Sequence, residues 1–177
     1  MKKLLVILCL SLPFLGLAQS GNKNNEERKA EKKAQHEKMK AFLSDTTWVI
    51  MAHTLRDRRG NTAFVSPTTN FVAIAGNDAI IQLALNNFDP GLNGLGGQTL
   101  EGRLTRYTIK DRGVGKGFDI RMDLTGIFSF NLWLSISDNG NATLNLSGMR
   151  GERLTYLGQI TELEDSDIFI GNQRIFR

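Results

Sequence analysis

Over residues 117–161 the chain repeats one pattern four times in succession: apolar and polar side chains alternate. In GFDIRMDLTG, Phe118, Ile120, Met122 and Leu124 alternate with Asp119, Arg121 and Asp123. In IFSFNLWLSIS, Phe128, Phe130, Leu132, Leu134 and Ile136 share a face, with Trp133 on the other. ATLNLSG and RLTYLGQI continue the pattern with Ala142, Leu144, Leu146, Leu154, Tyr156 and Ile160. A period of two places one set of side chains in a core and the other in water, which a helix cannot do. The chain is therefore read as all-β over most of its length.

The turns agree. Gly and Asn recur in GND (76–78) and DNGN (138–141), and RRGN (58–61) and DRGVGKG (111–117) join further strands. Such residues accept the positive φ of tight links. Strands are predicted over 47–57, 62–66, 70–75, 79–85, 101–110, 117–125, 127–137 and 141–149, with a ninth over 153–161. Short links between neighbours make an antiparallel meander of eight or nine strands. Closure into a lipocalin-like barrel removes its edges most simply, with a two-sheet sandwich as the alternative.

Two segments precede the strands. MKKLLVILCLSLPFLGLAQS has two lysines, an apolar stretch and small residues at Gly16 and Ala18, the pattern of a secretory signal peptide (1–18) cut before Gln19. Export to the periplasm or beyond the cell is the expectation, with no transmembrane segment in the mature chain. The single cysteine, Cys9, leaves with the leader, so a disulfide, a thiol nucleophile and a thiolate ligand are excluded from the mature protein. Residues 19–43 are dense in Glu, Lys, Ala and Arg and lack Pro beyond the leader, which predicts a solvated helix. Met39, Phe42 and Leu43 mark its last turn as the part that docks. Residues 44–177 then form one domain.

The basic balance of the whole chain, 22 Lys and Arg against 18 Asp and Glu, belongs to these first segments. Residues 41–177 carry 13 basic against 14 acidic side chains, and the arginines are scattered. A nucleic-acid partner requires a basic stripe on the folded domain, so none is expected.

The stretches NFVAIAGNDAIIQLAL (70–85), TLEGRLTRYTI (99–109) and GNATLNLSGMRGERLTYLGQI (140–160) resemble a family of exported proteins from Gram-negative bacteria, catalogued as a domain of unknown function. The resemblance spans residues 42–160. It implies a lipocalin-like barrel behind a signal peptide and an N-terminal helix, and it implies no activity. Where such proteins often carry an aromatic Pro-Tyr segment after the IQL strand, this chain has ALNNFDPGLNGLGG (84–97).

No chemical constellation stands out. The glycines of GLNGLGGQTLEGRLTRY (91–107) are followed by a strand, not by the helix a phosphate cradle needs. They are read as a crossover, with Phe88, Leu92 and Leu95 folded over one mouth of the barrel. HEKMK (36–40) begins like a zinc-protease helix but has Lys40 in place of the second histidine, and the other histidine, His53, lies in a predicted strand. Asp119 and Asp123 would stand roughly 13 Å apart along a strand, beyond the roughly 5–9.5 Å of paired glycosidase carboxylates. ELEDSD (162–167) lacks the alternating ligands and glycine of a calcium loop. Ser66 and His53 have no nucleophile elbow to join them.

The expected protein is thus a binding protein and not an enzyme, with no cofactor and no metal. Its partner is expected to be a small hydrophobic molecule inside the barrel or an envelope protein outside it. Trp48, Tyr107, Phe118, Met122, Phe130 and Tyr156 are the candidate ligand-binding residues, with Trp48, Tyr107 and Tyr156 offering polar tips at a pocket mouth. Trp133, opposite Leu132 and Leu134, is the candidate interaction surface.

Overall fold

The computed structural model describes residues 25–85, 97–148, 151 and 153–171. One helix, α1 (Asn25–Ser44), precedes nine strands: β1 (Thr47–Asp57), β2 (Thr62–Phe64), β3 (Phe71–Ala75), β4 (Asp78–Ala84), β5 (Gly97–Asp111), β6 (Phe118–Gly126), β7 (Ser129–Ile136), β8 (Asn141–Gly148) and β9 (Arg153–Glu162). The order is β2-β1-β3-β4-β5-β6-β7-β8-β9, all antiparallel, and β1 also pairs with β9. Eight strands, β1 and β3–β9, therefore close into a barrel, and β2 is an extra strand. It lies on the side of β1 that β3 leaves free, pairing Thr54–Arg56 while β3 pairs Thr47–Met51. The ninth expected strand is the one that closes the barrel, and the three-residue β2 stands outside it. The sandwich is excluded by the β1–β9 ladder.

The alternation read from 117–161 is the inside–outside alternation of this barrel. Phe118, Ile120, Met122, Leu124, Leu132, Leu134, Ile136, Leu144, Leu146 and Tyr156 all belong to one buried core. Phe128 does not: β7 begins at Ser129, so Phe128 sits in the β6–β7 turn, 55% exposed and edge-on to Phe130. Strand β5 begins at Gly97, four residues earlier than predicted, because Gly97 and Gln98 pair with Ala84 and Leu83. Residues 1–24 and 86–96, which carry the expected leader and the apolar loop over the barrel mouth, lie outside the described residues.

β1 and β3 do not alternate, and the fold shows why. Trp48, Ile50, Val72 and Ile74 face the barrel core, while Val49, Phe71 and Ala73 form a second cluster on the outside with Met51, Ile80, Leu163 and Ile168. The segment after β9 packs over this patch, so both faces of these strands are buried. Gln82 fastens it. Its Nε2 donates to the Phe169 carbonyl at 2.7 Å, and its Oε1 accepts from the Gly171 amide at 2.8 Å and from Thr99 Oγ1 at 3.0 Å. A fully buried amide needs such partners.

Closure depends on one close approach. The β1–β9 register shifts between Ala52 and Thr54, and Gly158 stands opposite Ala52 at the bulge. A Cβ at Gly158 would strike the Met51 carbonyl, whereas one at Gly102 would find its nearest atom at an ordinary 3.4 Å. Gly158→Ala is therefore expected to destabilise by about 1–3 kcal/mol, the range of overpacking, with Gly102→Ala costing much less. Thermal melts of the two variants side by side check this, and equal melting temperatures would remove the argument.

Candidate functional site

In an up-and-down barrel the connections fall alternately at two ends. α1 covers the end that carries the start of β1, the β5–β6 and β7–β8 turns and the end of β9. His36, Met39, Lys40 and Leu43 follow one another at the spacing of a single helix face, and that face meets the barrel. Leu43 is fully buried, with Met39 and Phe42 packed against the core. Burying a leucine contributes roughly 1.5–3 kcal/mol. The exposed Lys29–Glu26 pair at 3.0 Å contributes at most about 1 kcal/mol, so the apolar turn decides the docking.

Polar groups fix its position. The imidazole of His36 is buried, stacked on Phe118 with ring centroids 4.4 Å apart, and lies between two carboxylates. Its Nδ1 is 2.8 Å from Asp138 Oδ1 and its Nε2 is 2.9 Å from Asp111 Oδ1. Neutral imidazole has one N–H, whereas two ionised carboxylates only accept. The imidazolium alone satisfies both. The hydrogen bond to Asp138 first, and that to Asp111 after it, outweigh burial and hold the His36 pKa above its ordinary 6.5. Asp111 is held below its ordinary 3.8, chiefly by the Gly113 amide and then by Lys40 and His36. Lys40 Nζ lies 3.3 Å from Asp111 Oδ2. Asp138 Oδ2 accepts from the Gly115 amide at 2.7 Å, so the β5–β6 and β7–β8 turns are held in one network.

Beside this network, the Tyr107 hydroxyl donates to the Leu43 carbonyl at 2.7 Å and accepts from Trp48 Nε1 at 3.2 Å. It thereby satisfies a carbonyl that the helix end leaves free. Burial pushes the Tyr107 hydroxyl up to about 12. Tyr156 is wholly buried within the barrel, with its pKa raised by desolvation, and donates to the Gln82 carbonyl across the interior at 3.3 Å.

A second constellation lies on the outside, across β5–β9. The ladders align Thr108, Arg121, Trp133, Asn145, Thr155 and Arg56 in one row. The adjacent row aligns Arg106, Asp123, Asn131, Ser147 and Arg153. Arg121, Trp133, Asn145 and Thr155 of the first row and all of the second line an open groove of about 640 Å³, with Met122, Leu132, Leu146 and Leu154 beneath them and Asp57 and Arg58 at one end. Trp133 is 53% exposed in it, with the Arg121 guanidinium 5.6 Å from its ring centre. Arg106 pairs with Asp123 at 2.7 Å, and Thr155 Oγ1 donates to Asn145 Oδ1 at 2.9 Å.

Of the residues singled out from sequence, Trp48, Phe118, Met122 and Tyr156 are buried inside the barrel, while Tyr107 and Phe130 are partly buried against its core. Trp133 alone is open to solvent. The polar tips of Trp48, Tyr107 and Tyr156 reach protein partners rather than a mouth. His53 is exposed, with its Nδ1 2.9 Å from the hydroxyl of its neighbour Thr54. Asp119 pairs with Arg112 at 3.5 Å. No group of three or more His, Cys, Asp or Glu that could hold a metal is found among the described residues. Sequence reasoning weighed His36 only as a broken zinc motif and missed its burial. The available signal was its place on the helix face of Met39 and Leu43. It missed the groove arginines because cross-strand register, which brings them together, is not written in any one segment.

Residues 30–160 match the profile of DUF4251, a domain of unknown function. No curated protein matches the chain. The crystal structure of a DUF4251 family protein from Bacteroides eggerthii DSM 20697 is similar to it, with a TM-score of 0.62 and 28% identity over 80% of this chain and 96% of that one.

The docking network dictates a pH dependence. The raised His36 pKa means that its stabilisation is complete below pH 6.5 and is lost as pH climbs through the higher folded value. The lowered Asp111 pKa means that its contribution is present above 3.8 and is lost as pH falls through the lower folded value. The melting-temperature gap between wild type and His36→Gln is expected to be widest between those limits and to shrink above pH 6.5. A gap constant from pH 5 to 9 would show that the imidazolium contributes nothing.

Proposed function

Because the chain belongs to the DUF4251 family, a domain of unknown function, and folds as a closed barrel, we propose that it is an exported, non-catalytic recognition module working through the outside of a filled barrel. The observation that carries this reading is the contrast between the chain's two tryptophans. Trp48 is wholly buried and bonded to Tyr107, while Trp133 lies half exposed in a groove on the outer face. An interior ligand would need open polar tips to orient it, and those of Trp48, Tyr107 and Tyr156 are taken by the protein. The apolar interior remains consistent with packing for stability alone.

Absence of catalysis is part of the reading. The two tyrosines are pushed away from neutral pH, and His36 is enclosed by carboxylates that compete for its protons. None is placed to exchange a proton with a substrate in the groove.

Native mass spectrometry of the protein purified from its own cells, before and after organic extraction, tests the reading. A bare mass beginning at Gln19 is expected in both samples. A reproducible extra mass lost on extraction would replace it with a carrier of a hydrophobic molecule. An intact residue 1 would remove the export step.

A further inference from the structure

We infer that the groove around Trp133 binds an acidic polysaccharide, an inference that rests on the reading that the barrel works through its exterior. The charge balance comes first. Arg106 is neutralised by Asp123, and the Asp57 carboxylate is bound within its own turn by Asn61 Nδ2 and the Arg59 amide, both at 2.8 Å. Arg58, Arg121 and Arg153 make no ion pair among the described residues, so the groove has a cationic surplus. Guanidinium groups bind carboxylate and sulfate through paired N–H donors.

The other side chains select for hydroxyls. Asn131, Asn145, Ser147 and Thr155 offer donors and acceptors together, and Asp57 and Asp123 offer acceptors only. A sugar, whose hydroxyls both donate and accept, can use all of them. The flat face of Trp133 suits the C–H face of a pyranose ring, and the neighbouring Arg121 holds the indole in place.

Shape separates a polysaccharide from a peptide. Strands about 4.8 Å apart make the six-strand row about 24 Å long around the barrel wall, and the groove on it is open, so a chain that follows the curve of the wall can enter and leave at either end. An extended peptide would seek a free strand edge. β6, β7, β8 and β9 are each hydrogen-bonded on both sides, and β1 with them. The row sits on these paired strands, which hold its members in fixed register without any loop.

The test uses the purified protein with a chondroitin sulfate hexasaccharide and a hexagalacturonate as probes. Maltohexaose, polyglutamate and oligothymidylate serve as comparators. Titration followed by calorimetry and tryptophan emission is expected to show binding of one or both acidic saccharides, weakened severalfold between 50 and 200 mM salt, as screening of exposed charges at roughly 10 Å requires. Trp133→Ala and Arg121→Gln are each expected to lower affinity tenfold or more, with melting temperatures within a few degrees of wild type. Should Trp133→Ala fail to fold, Arg121→Gln and Arg153→Gln carry the comparison. Lack of binding to both acidic saccharides would overturn the inference, as would equal binding of maltohexaose, polyglutamate or oligothymidylate, or variants that bind like wild type. A bare native mass with no saccharide binding overturns this inference alone. An extractable ligand in the native mass overturns the reading beneath it.

Discussion

The pairing of β1 with β9 is the constraint on which the rest of the structure depends. It joins the first strand of the domain to the last, from Trp48 opposite Glu162 to Asp57 opposite Leu154, and closes the meander into a barrel beside which only the short β2 keeps a free edge. Nothing local favours it. The two strands are about 100 residues apart, so loop-closure entropy must be met by the many contacts formed at once. The bulge at Ala52–Thr54 lets β1 bend while keeping Trp48, Ile50, Ala52 and Leu55 on the inner face. Gly158 opposite that bulge is thus a condition of closure, because only a residue without Cβ admits the Met51 carbonyl so near.

Closure leaves two open ends, and α1 fills one of them. An isolated helix of this length and polarity is marginal in water, so α1 is held by what its last two turns touch. Leucine burial supplies the energy there. The His36 bridge supplies direction, since an imidazolium between Asp111 and Asp138 has one satisfactory orientation. Tyr107 links the Leu43 carbonyl of the helix to Trp48 of β1. The end of the helix and the start of β1 are therefore held by one hydroxyl.

Much of this was legible in the sequence because it is periodic. Strands β6–β9 could be read within one or two residues, and Met39, Phe42 and Leu43 announced the docking turn. β1 and β3 were harder to interpret, since Val49, Phe71 and Ala73 face a covering segment whose attachment through Gln82 has no local signature. Phe128 followed the alternation of its neighbours yet fell in a turn, because alternation cannot say where a strand starts. The candidate site was less legible than the fold. His36 bridges residues 75 and 102 positions away, and the Arg121–Trp133–Asn145 row exists only once three ladders set their register. Long-range contacts of this kind follow from topology, and topology had to come first.

The burial of the inward side chains bears on which residues such a barrel can change. A side chain that points inward touches many others, so altering it risks about 2–5 kcal/mol of the core. An outward side chain on the same strand usually changes stability by no more than about 0.5 kcal/mol. Met122 and Leu132 are held by the first rule, while their neighbours Arg121 and Trp133 obey the second. The alternation that makes the strand therefore also separates the residues that keep the fold from those that can change without cost to it. The groove draws most of its polar lining from the second set, while Met122, Leu132, Leu146 and Leu154 of the first set lie beneath it. The outer face can accordingly be altered one side chain at a time without reopening the barrel.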